Sequence, residues 1–170
     1  MLSKFDDYPI HQTPEPVYHT ASSDRFFYDR YWYNGHARDG SFYFGVGLCR
    51  YANLGILDCS LSLAIDGHQY AFHGSRRAPH ELTDTTVGPF ALQILEPMGR
   101  HRVVIDANET GITCDLVFTP RTACIEEGRQ TLRNERHIVM DATRLDQFGF
   151  WSGWIRYDGR ELKVDGRTTF

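Results

Sequence analysis

The sequence predicts an all-β fold, either an antiparallel barrel or a strongly curved sandwich, with about nine or ten strands and little helix. Aromatic residues make up 14% of the 170 residues and 15 residues are glycine, a composition that favours sheets and tight turns. Apolar side chains recur at every second position in many segments, and turn dipeptides separate those segments. No segment has a clear helical period of about 3.6 residues.

Residues 1–24 are predicted to form an extended lead-in. Pro9, Pro14 and Pro16 oppose a regular helix there, and a Ser-Ser-Asp sequence ends the segment. No linker rich in Gly, Ser or Pro and no internal repeat follows. We therefore expect residues 25–170 to form a single β-barrel-like domain.

The first strand candidate, residues 26–34, is rich in aromatic side chains. Side chains alternate between the two faces of a regular strand. This alternation places Asp29, Tyr31 and Tyr33 on one face and Trp32 on the opposite face.

The next segments predict hairpins. Asp39-Gly40 and Asp66-Gly67 are turn dipeptides, and the second lies between Leu57–Ile65 and a returning strand through Phe72. Residues 125–136 are polar and could hold a helical turn or a charged loop. The other strand candidates are 42–49, 90–94, 103–105, 112–118, 137–140, 150–157 and 161–164.

Composition and motifs exclude several classes of function. The net charge of −4 argues against a nucleic-acid partner. No apolar run approaches the roughly 18 residues of a membrane span, and the N-terminus lacks the apolar core of a secretory signal, so we expect a cytoplasmic protein.

Neither metal-ligand spacing nor a nucleotide-binding motif occurs, so we expect no metal and no cofactor. The four cysteines lack C-x-x-C spacing, and we expect them to be reduced structural thiols.

Two strand candidates carry large apolar residues on one face and small residues on the other. The small residues are Gly45 and Gly47 in one strand and Ser60, Ser62 and Ala64 in the next. Small side chains are typical of positions that another group approaches closely. The group could be another layer of the protein, or it could be an apolar ligand in a groove or lumen.

Asp29 is the candidate catalytic acid because it lies among aromatic residues. A desolvated carboxyl group has a raised pKa and can donate a proton near neutral pH. Tyr31 and Tyr33 would orient it. The structural alternative is an ion pair between Asp29 and a nearby arginine such as Arg30 or Arg76.

Four further residues are candidates for ligand binding. Trp32 and Phe44 are expected to shape an apolar pocket. Arg76 and Arg77 are adjacent and could hold a carboxylate or a phosphate of a ligand. Salt bridges to carboxylates in nearby loops are the alternative for these arginines.

The chain also resembles a known group of bacterial proteins over nearly its whole length. That group is related to the lipocalin-like hydroxyneurosporene synthase (carotenoid 1,2-hydratase) and AttH proteins. The segments that carry the resemblance are DDYPIHQTPEPV at residues 6–17, SDRFFYDRYWYNG at 23–35, YANLGILD at 51–58, SRRAPHE at 75–81 and FGFWSGWIRYDGRELKVDG at 148–166.

The resemblance implies a calycin-type barrel that forms the N-terminal half of a two-barrel protein. In that superfamily, water addition to polyenes and ring closure proceed without a cofactor. We therefore expect the chain to bind a hydrophobic small molecule and to act as a hydratase or cyclase on isoprenoid or polyketide-like substrates. The alternatives are a carrier without chemistry, or a half-domain that pairs with a second barrel or with another copy of itself.

Overall fold

The computed structural model describes residues 2–10 and 14–170 and contains fourteen strands, all paired antiparallel. In chain order they are β1 (Asp29–His36), β2 (Phe42–Tyr51), β3 (Ile56–Ile65), β4 (His68–Arg77), β5 (Thr86–Val87), β6 (Phe90–Ile94), β7 (His101–Ile105), β8 (Thr113–Pro120), β9 (Ile125–Glu126), β10 (Gln130–Asn134), β11 (His137–Ala142), β12 (Leu145–Asp146), β13 (Gly149–Tyr157) and β14 (Arg160–Val164). The all-β, antiparallel part of the fold prediction is confirmed.

Two large sheets form the body of the protein. The first has the order β1-β2-β3-β4 and the second the order β14-β13-β8-β7-β6-β5. The predicted turn at Asp66-Gly67 joins β3 to β4, and an Asp-Gly turn of the same kind, Asp158-Gly159, joins β13 to β14. All four of these turn residues have positive φ angles, as the tightest hairpin turns require.

Large apolar side chains from the inner faces of both sheets fill the space between them. Phe44 of β2 meets Trp151 of β13 edge to face, with ring centroids 5.4 Å apart, and Tyr70 of β4 lies 5.0 Å from Tyr157. Other large side chains that are essentially inaccessible to solvent in this core are Val46, Leu48, Leu61, Leu63, Phe90, Leu92, Val103, Ile105, Leu116 and Ile155.

The last residues of the chain join the two sheets along one side. His36, at the end of β1, exchanges two backbone hydrogen bonds with Phe170, at 2.8 and 3.0 Å. The N–H of Trp151 in β13 donates to the carbonyl of the buried Thr169 at 3.0 Å. Despite this link, the described strands form no closed barrel, because they remain in separate sheets.

Between β8 and β13 the chain leaves the second sheet as a protruding two-stranded segment, residues 125–146, which we call the β-ribbon. β9 pairs with β12 at its base, and β10 pairs with β11 beyond them. Residues 125–136, expected to form a helical turn or a charged loop, therefore contain two strands. Four strands that alternation did not identify, β5, β9, β10 and β12, raise the number above the expected nine or ten.

The lead-in contains a short 3-10 turn at Lys4–Asp7, and a second such turn spans Ala52–Leu54. The side chains of Ser3 and Asp6 cap the first turn reciprocally, which fixes its start. Expectations for Met1 and residues 11–13 lie outside the described residues. None of the helical turns in residues 2–10 and 14–170 has the length and apolar character needed to cross a membrane.

Phe44 and Trp32 should differ sharply in their contribution to stability. Phe44 is 0% exposed, whereas Trp32 is 56% exposed. Replacement of a fully buried phenylalanine by alanine removes its core contacts and leaves a cavity, so Phe44→Ala should lower the free energy of unfolding by about 3–5 kcal/mol. Trp32→Ala should lower it by about 1 kcal/mol or less. Urea denaturation of both variants tests this, and similar losses would contradict the packing described here.

Candidate functional site

A cluster of polar side chains, which we call the buried cluster, lies where the lead-in meets the two large sheets; Asp7 and His101 are buried, and Tyr31 and Tyr33 are half-buried. The 3-10 turn supplies Asp7, β7 supplies His101, and β1 supplies Tyr33 and Tyr31. Nε2 of His101 lies 3.0 Å from Oδ2 of Asp7, and its Nδ1 lies 2.7 Å from the hydroxyl of Tyr33. The hydroxyl of Tyr31 donates to the backbone carbonyl of Asp7 at 2.5 Å.

Local structure holds Asp7 in place. The turn between β6 and β7 brings Met98, which has a φ angle of 58°, over the lead-in. Its backbone N–H donates to the same carboxylate oxygen of Asp7 that His101 contacts. The carboxylate therefore receives two hydrogen bonds that compensate for its burial.

These contacts form a chain of hydrogen bonds from Asp7 through His101 to Tyr33. A neutral His101 that carries its proton on Nε2 satisfies every partner, because it donates to Asp7 and accepts from the hydroxyl of Tyr33. The pKa of Tyr33 is raised well above its ordinary value, first by burial and then by the nearby Tyr31 and Asp7. Burial and the charges of Asp7 and Asp29 also raise the pKa of Tyr31. Both phenols therefore remain protonated at neutral pH.

The hydroxyls of the two predicted orienting tyrosines bond to the backbone carbonyl of Asp7 in the 3-10 turn and to His101 of β7. Asp29, Tyr31 and Tyr33 do lie on one face of β1, because the strand pairs regularly along its length. A role for Asp29 in catalysis stays a prediction.

The predicted arginine pair divides between the two faces of β4. Arg76 forms an ion pair with Asp84 at 2.7 Å, and this contact with Arg76 lowers the pKa of Asp84 to about 2. Arg77 is the next residue of the same strand and points to the opposite face. The two guanidinium groups therefore do not converge on one point, and ligand binding by either arginine stays a prediction.

The predicted pocket residues also lie on opposite faces. Phe44 belongs to the filled core, whereas Trp32 lies on the outer face of the first sheet. One row of directly opposite residues crosses the first sheet. It runs from Trp32 of β1 through Gly47 and Ser60 to His73 of β4. The small residues noted in the sequence thus face outward from the protein.

Glycine allows the indole ring of Trp32 to lie against the sheet. A Cβ at Gly45 would lie 3.3 Å from the ring, and one at Gly47 would lie 3.7 Å from it. We call this region the outer face; it comprises Trp32, Tyr43, Gly45, Gly47, Ser60, Ser62, Ala64, Gln69, Ala71 and His73.

A shallow depression of about 450 Å³ opens at the end of the outer face that carries Tyr43, Ala64 and Gln69. Another, of about 400 Å³, lies against β6 beside Tyr8 and Asp84. Both are open to solvent. Among the described residues, no three His, Cys, Asp or Glu side chains lie close enough together to hold a metal ion.

All four cysteines are free thiols. Burial raises the pKa of Cys59 and of Cys114 to about 12, so these two are unreactive at neutral pH. Burial, followed by the charges of Asp7 and Asp6, also raises the pKa of Cys124. Cys124 therefore lies near the 3-10 turn, just before the β-ribbon begins.

Comparison with protein-family models matches residues 2–170 to the Family of unknown function (DUF8625). The chain belongs to this family. Searches of curated proteins and of solved structures each returned no match. The relationship of this DUF8625 member to the lipocalin-like hydratases stays a prediction.

The phenols of Tyr31 and Tyr33 should make the protein sensitive to alkali. Because folding raises the pKa values of Tyr31 and Tyr33, their contribution to stability is fully present below pH about 10 and is lost as the pH rises. As the pH passes the ordinary phenol pKa of about 10, each group should steepen the loss toward a limit of about 1.4 kcal/mol per pH unit. Unfolding measured from pH 9 to 11, a range around the ordinary phenol pKa, should show a shallower loss in the Tyr31→Phe/Tyr33→Phe variant.

Tyr43→Phe, which removes an exposed phenol from the outer face, is the matched control for this experiment. A double variant with the same alkaline slope as the wild type would show that the phenols of Tyr31 and Tyr33 do not cause the effect.

Proposed function

We propose that the protein binds a flat, largely hydrophobic small molecule, of the polyketide or isoprenoid type, on the outer face of the first sheet. The observation that carries this proposal is Trp32, which is half exposed and lies over Gly45 and Gly47 on a floor of small side chains, with the guanidinium of Arg30 6.0 Å from its ring. An exposed indole supported in this way offers a flat surface for stacking. The filled core favours this face over a binding site between the sheets.

The polar residues around Trp32 suit a ligand with hydroxyl or carbonyl groups at its edge. Ser60 and His73 continue the row of Trp32 across the sheet. Ser62 lies in the next row and accepts a hydrogen bond from Gln69 at 2.7 Å. These side chains can donate to or accept from polar substituents while the ring stacks on the indole.

The probe for this proposal is emodin, a flat hydroxylated anthraquinone. Emodin should quench the tryptophan fluorescence of the wild-type protein, and Trp32→Ala should weaken binding at least tenfold because it removes the stacking surface. The matched control is Trp154→Ala, because Trp154 also has a guanidinium near its ring, that of Arg156 at 4.6 Å, but belongs to the second sheet and not to the outer face. This control should retain the wild-type affinity for emodin.

Retinol, titrated in the same way, separates a preference for flat rings from one for polyenes. Binding of neither probe, or equal losses in the Trp32 and Trp154 variants, would contradict a site on the outer face.

A second candidate function uses the buried cluster. The Asp7–His101–Tyr33 chain could move a proton during water addition to a carbon–carbon double bond, in which one carbon gains the proton and the other the hydroxide. It ranks second for two reasons. The raised pKa of Tyr33 makes this phenol a weak acid. The 3-10 turn also covers the cluster, so this turn would have to move to admit a substrate.

Incubation with neurosporene, an acyclic polyene, tests this second function. The wild-type protein should produce material whose mass increases by one water, whereas Tyr33→Phe should not, because it removes the hydroxyl from the chain. Tyr43→Phe should retain the activity. Absence of hydrated product from the wild-type protein, or full activity of Tyr33→Phe, would exclude the buried cluster as a hydratase.

A further inference from the structure

Arg30 adjoins the outer face of the first sheet, next to Trp32. The two residues are two positions apart in β1, so their side chains project from the same face of the strand. The guanidinium of Arg30 is 6.0 Å from the ring of Trp32 and 5.5 Å from that of Tyr28. A positive charge therefore lies between two exposed aromatic rings, at the margin of the surface proposed for the ligand.

This guanidinium leaves the indole of Trp32 open. Carbon atoms in direct contact are about 3.5–4.0 Å apart, so a group at 6.0 Å does not rest on the ring. The indole remains 56% exposed despite this neighbour. A flat ligand that stacks on Trp32 would thus bring its own edge close to Arg30.

No carboxylate of the described chain neutralises Arg30. Within residues 2–10 and 14–170, its guanidinium takes part in no hydrogen bond and no ion pair. Cys49, directly opposite in β2, is a neutral thiol because burial raises its pKa. The next residue in this row is Asp58 of β3, and its carboxylate accepts a hydrogen bond from Ser75 at 2.7 Å. The N–H groups of Arg30 therefore remain available beside the outer face.

A second arginine of the protein shows which group suits this position. Arg156 is likewise two residues from a tryptophan, Trp154, and its guanidinium is 4.6 Å from that ring. Glu161 of β14 stands directly opposite Arg156, whose Nε donates to the carboxylate at 2.8 Å. At Arg30, the position that corresponds to Glu161 holds Cys49. A carboxylate from outside the chain would give Arg30 the partner that Arg156 already has.

We propose that the ligand of the outer face is an aromatic carboxylic acid, whose rings stack on Trp32 and whose carboxylate binds Arg30. This inference rests on the function proposed above and adds the chemical class of the ligand. A guanidinium presents its N–H groups as a planar fork, which matches the two oxygens of a carboxylate. The stacked rings exclude water from one side of the ion pair, and the lower local dielectric constant strengthens it.

Rhein and aloe-emodin provide a matched pair of probes. Both are dihydroxyanthraquinones, and they differ in one substituent, which is a carboxylate in rhein and a hydroxymethyl group in aloe-emodin. Quenching of tryptophan fluorescence should show that the wild-type protein binds rhein about tenfold more tightly, because only rhein forms the charge-assisted pair. Sodium chloride should weaken the binding of rhein more than that of aloe-emodin, since salt screens exposed charges.

Variants of Arg30 test whether this residue causes the preference. Arg30→Gln removes the charge and keeps a polar side chain, so it should weaken the binding of rhein about tenfold and change that of aloe-emodin by less than about twofold. Arg30→Lys should retain part of the preference, because it keeps the charge but not the planar fork. Arg156→Gln is the matched control, since it removes an equal charge beside a tryptophan of the second sheet. This control should bind both probes like the wild type.

Failure of this inference and failure of the proposed function give different results. Equal affinity of the wild type for the two probes, unchanged in Arg30→Gln, would overturn the carboxylate pairing and leave the outer face as a site for flat molecules. If neither probe binds, or if Trp32→Ala binds both like the wild type, the site on the outer face is itself overturned, and the ligand class with it.

Discussion

The packing of large apolar side chains between the two sheets is the constraint on which the rest of the structure depends. Phe44 and Trp151 meet at its centre, and the alternation of each strand then determines what remains outside. Because the large side chains of β2 and β3 point into the core, the small residues of these strands face outward and leave room for the ring of Trp32. The space between the sheets is thus occupied by the protein's own side chains, and the ligand surface that we propose is the outer face.

The sequence predicted the elements that two-residue alternation specifies. The hairpin around Asp66-Gly67 was predicted because its strands alternate cleanly and its turn residues tolerate positive φ angles. The strands β9 and β10 were missed for the opposite reason. Both sides of the β-ribbon are exposed, so polar residues occupy most of its positions and leave no apolar period to detect.

The buried cluster could be predicted only in part. Alternation placed Tyr31 and Tyr33 on one face of β1, because that relation is local. Their partners could not be inferred, since Asp7 and His101 are 94 residues apart in sequence and meet through tertiary packing. No spacing signal links a lead-in carboxylate to a histidine at the start of β7. The aromatic surroundings of Asp29 predict a role for that carboxylate, whereas they give no indication of Asp7, which lies 3.0 Å from Nε2 of His101.

The buried cluster and the β-ribbon are connected through one turn. Met98 donates its N–H to Asp7, and its carbonyl accepts a hydrogen bond from Gln147 at 3.1 Å, just beyond the end of the β-ribbon. Gln147 also donates to the carbonyl of Thr122 at 3.2 Å, just before the β-ribbon begins. The same side chain thus ties both ends of the β-ribbon to the turn that holds Asp7. The buried cluster and both ends of the β-ribbon are therefore linked by hydrogen bonds through the same residue, Met98.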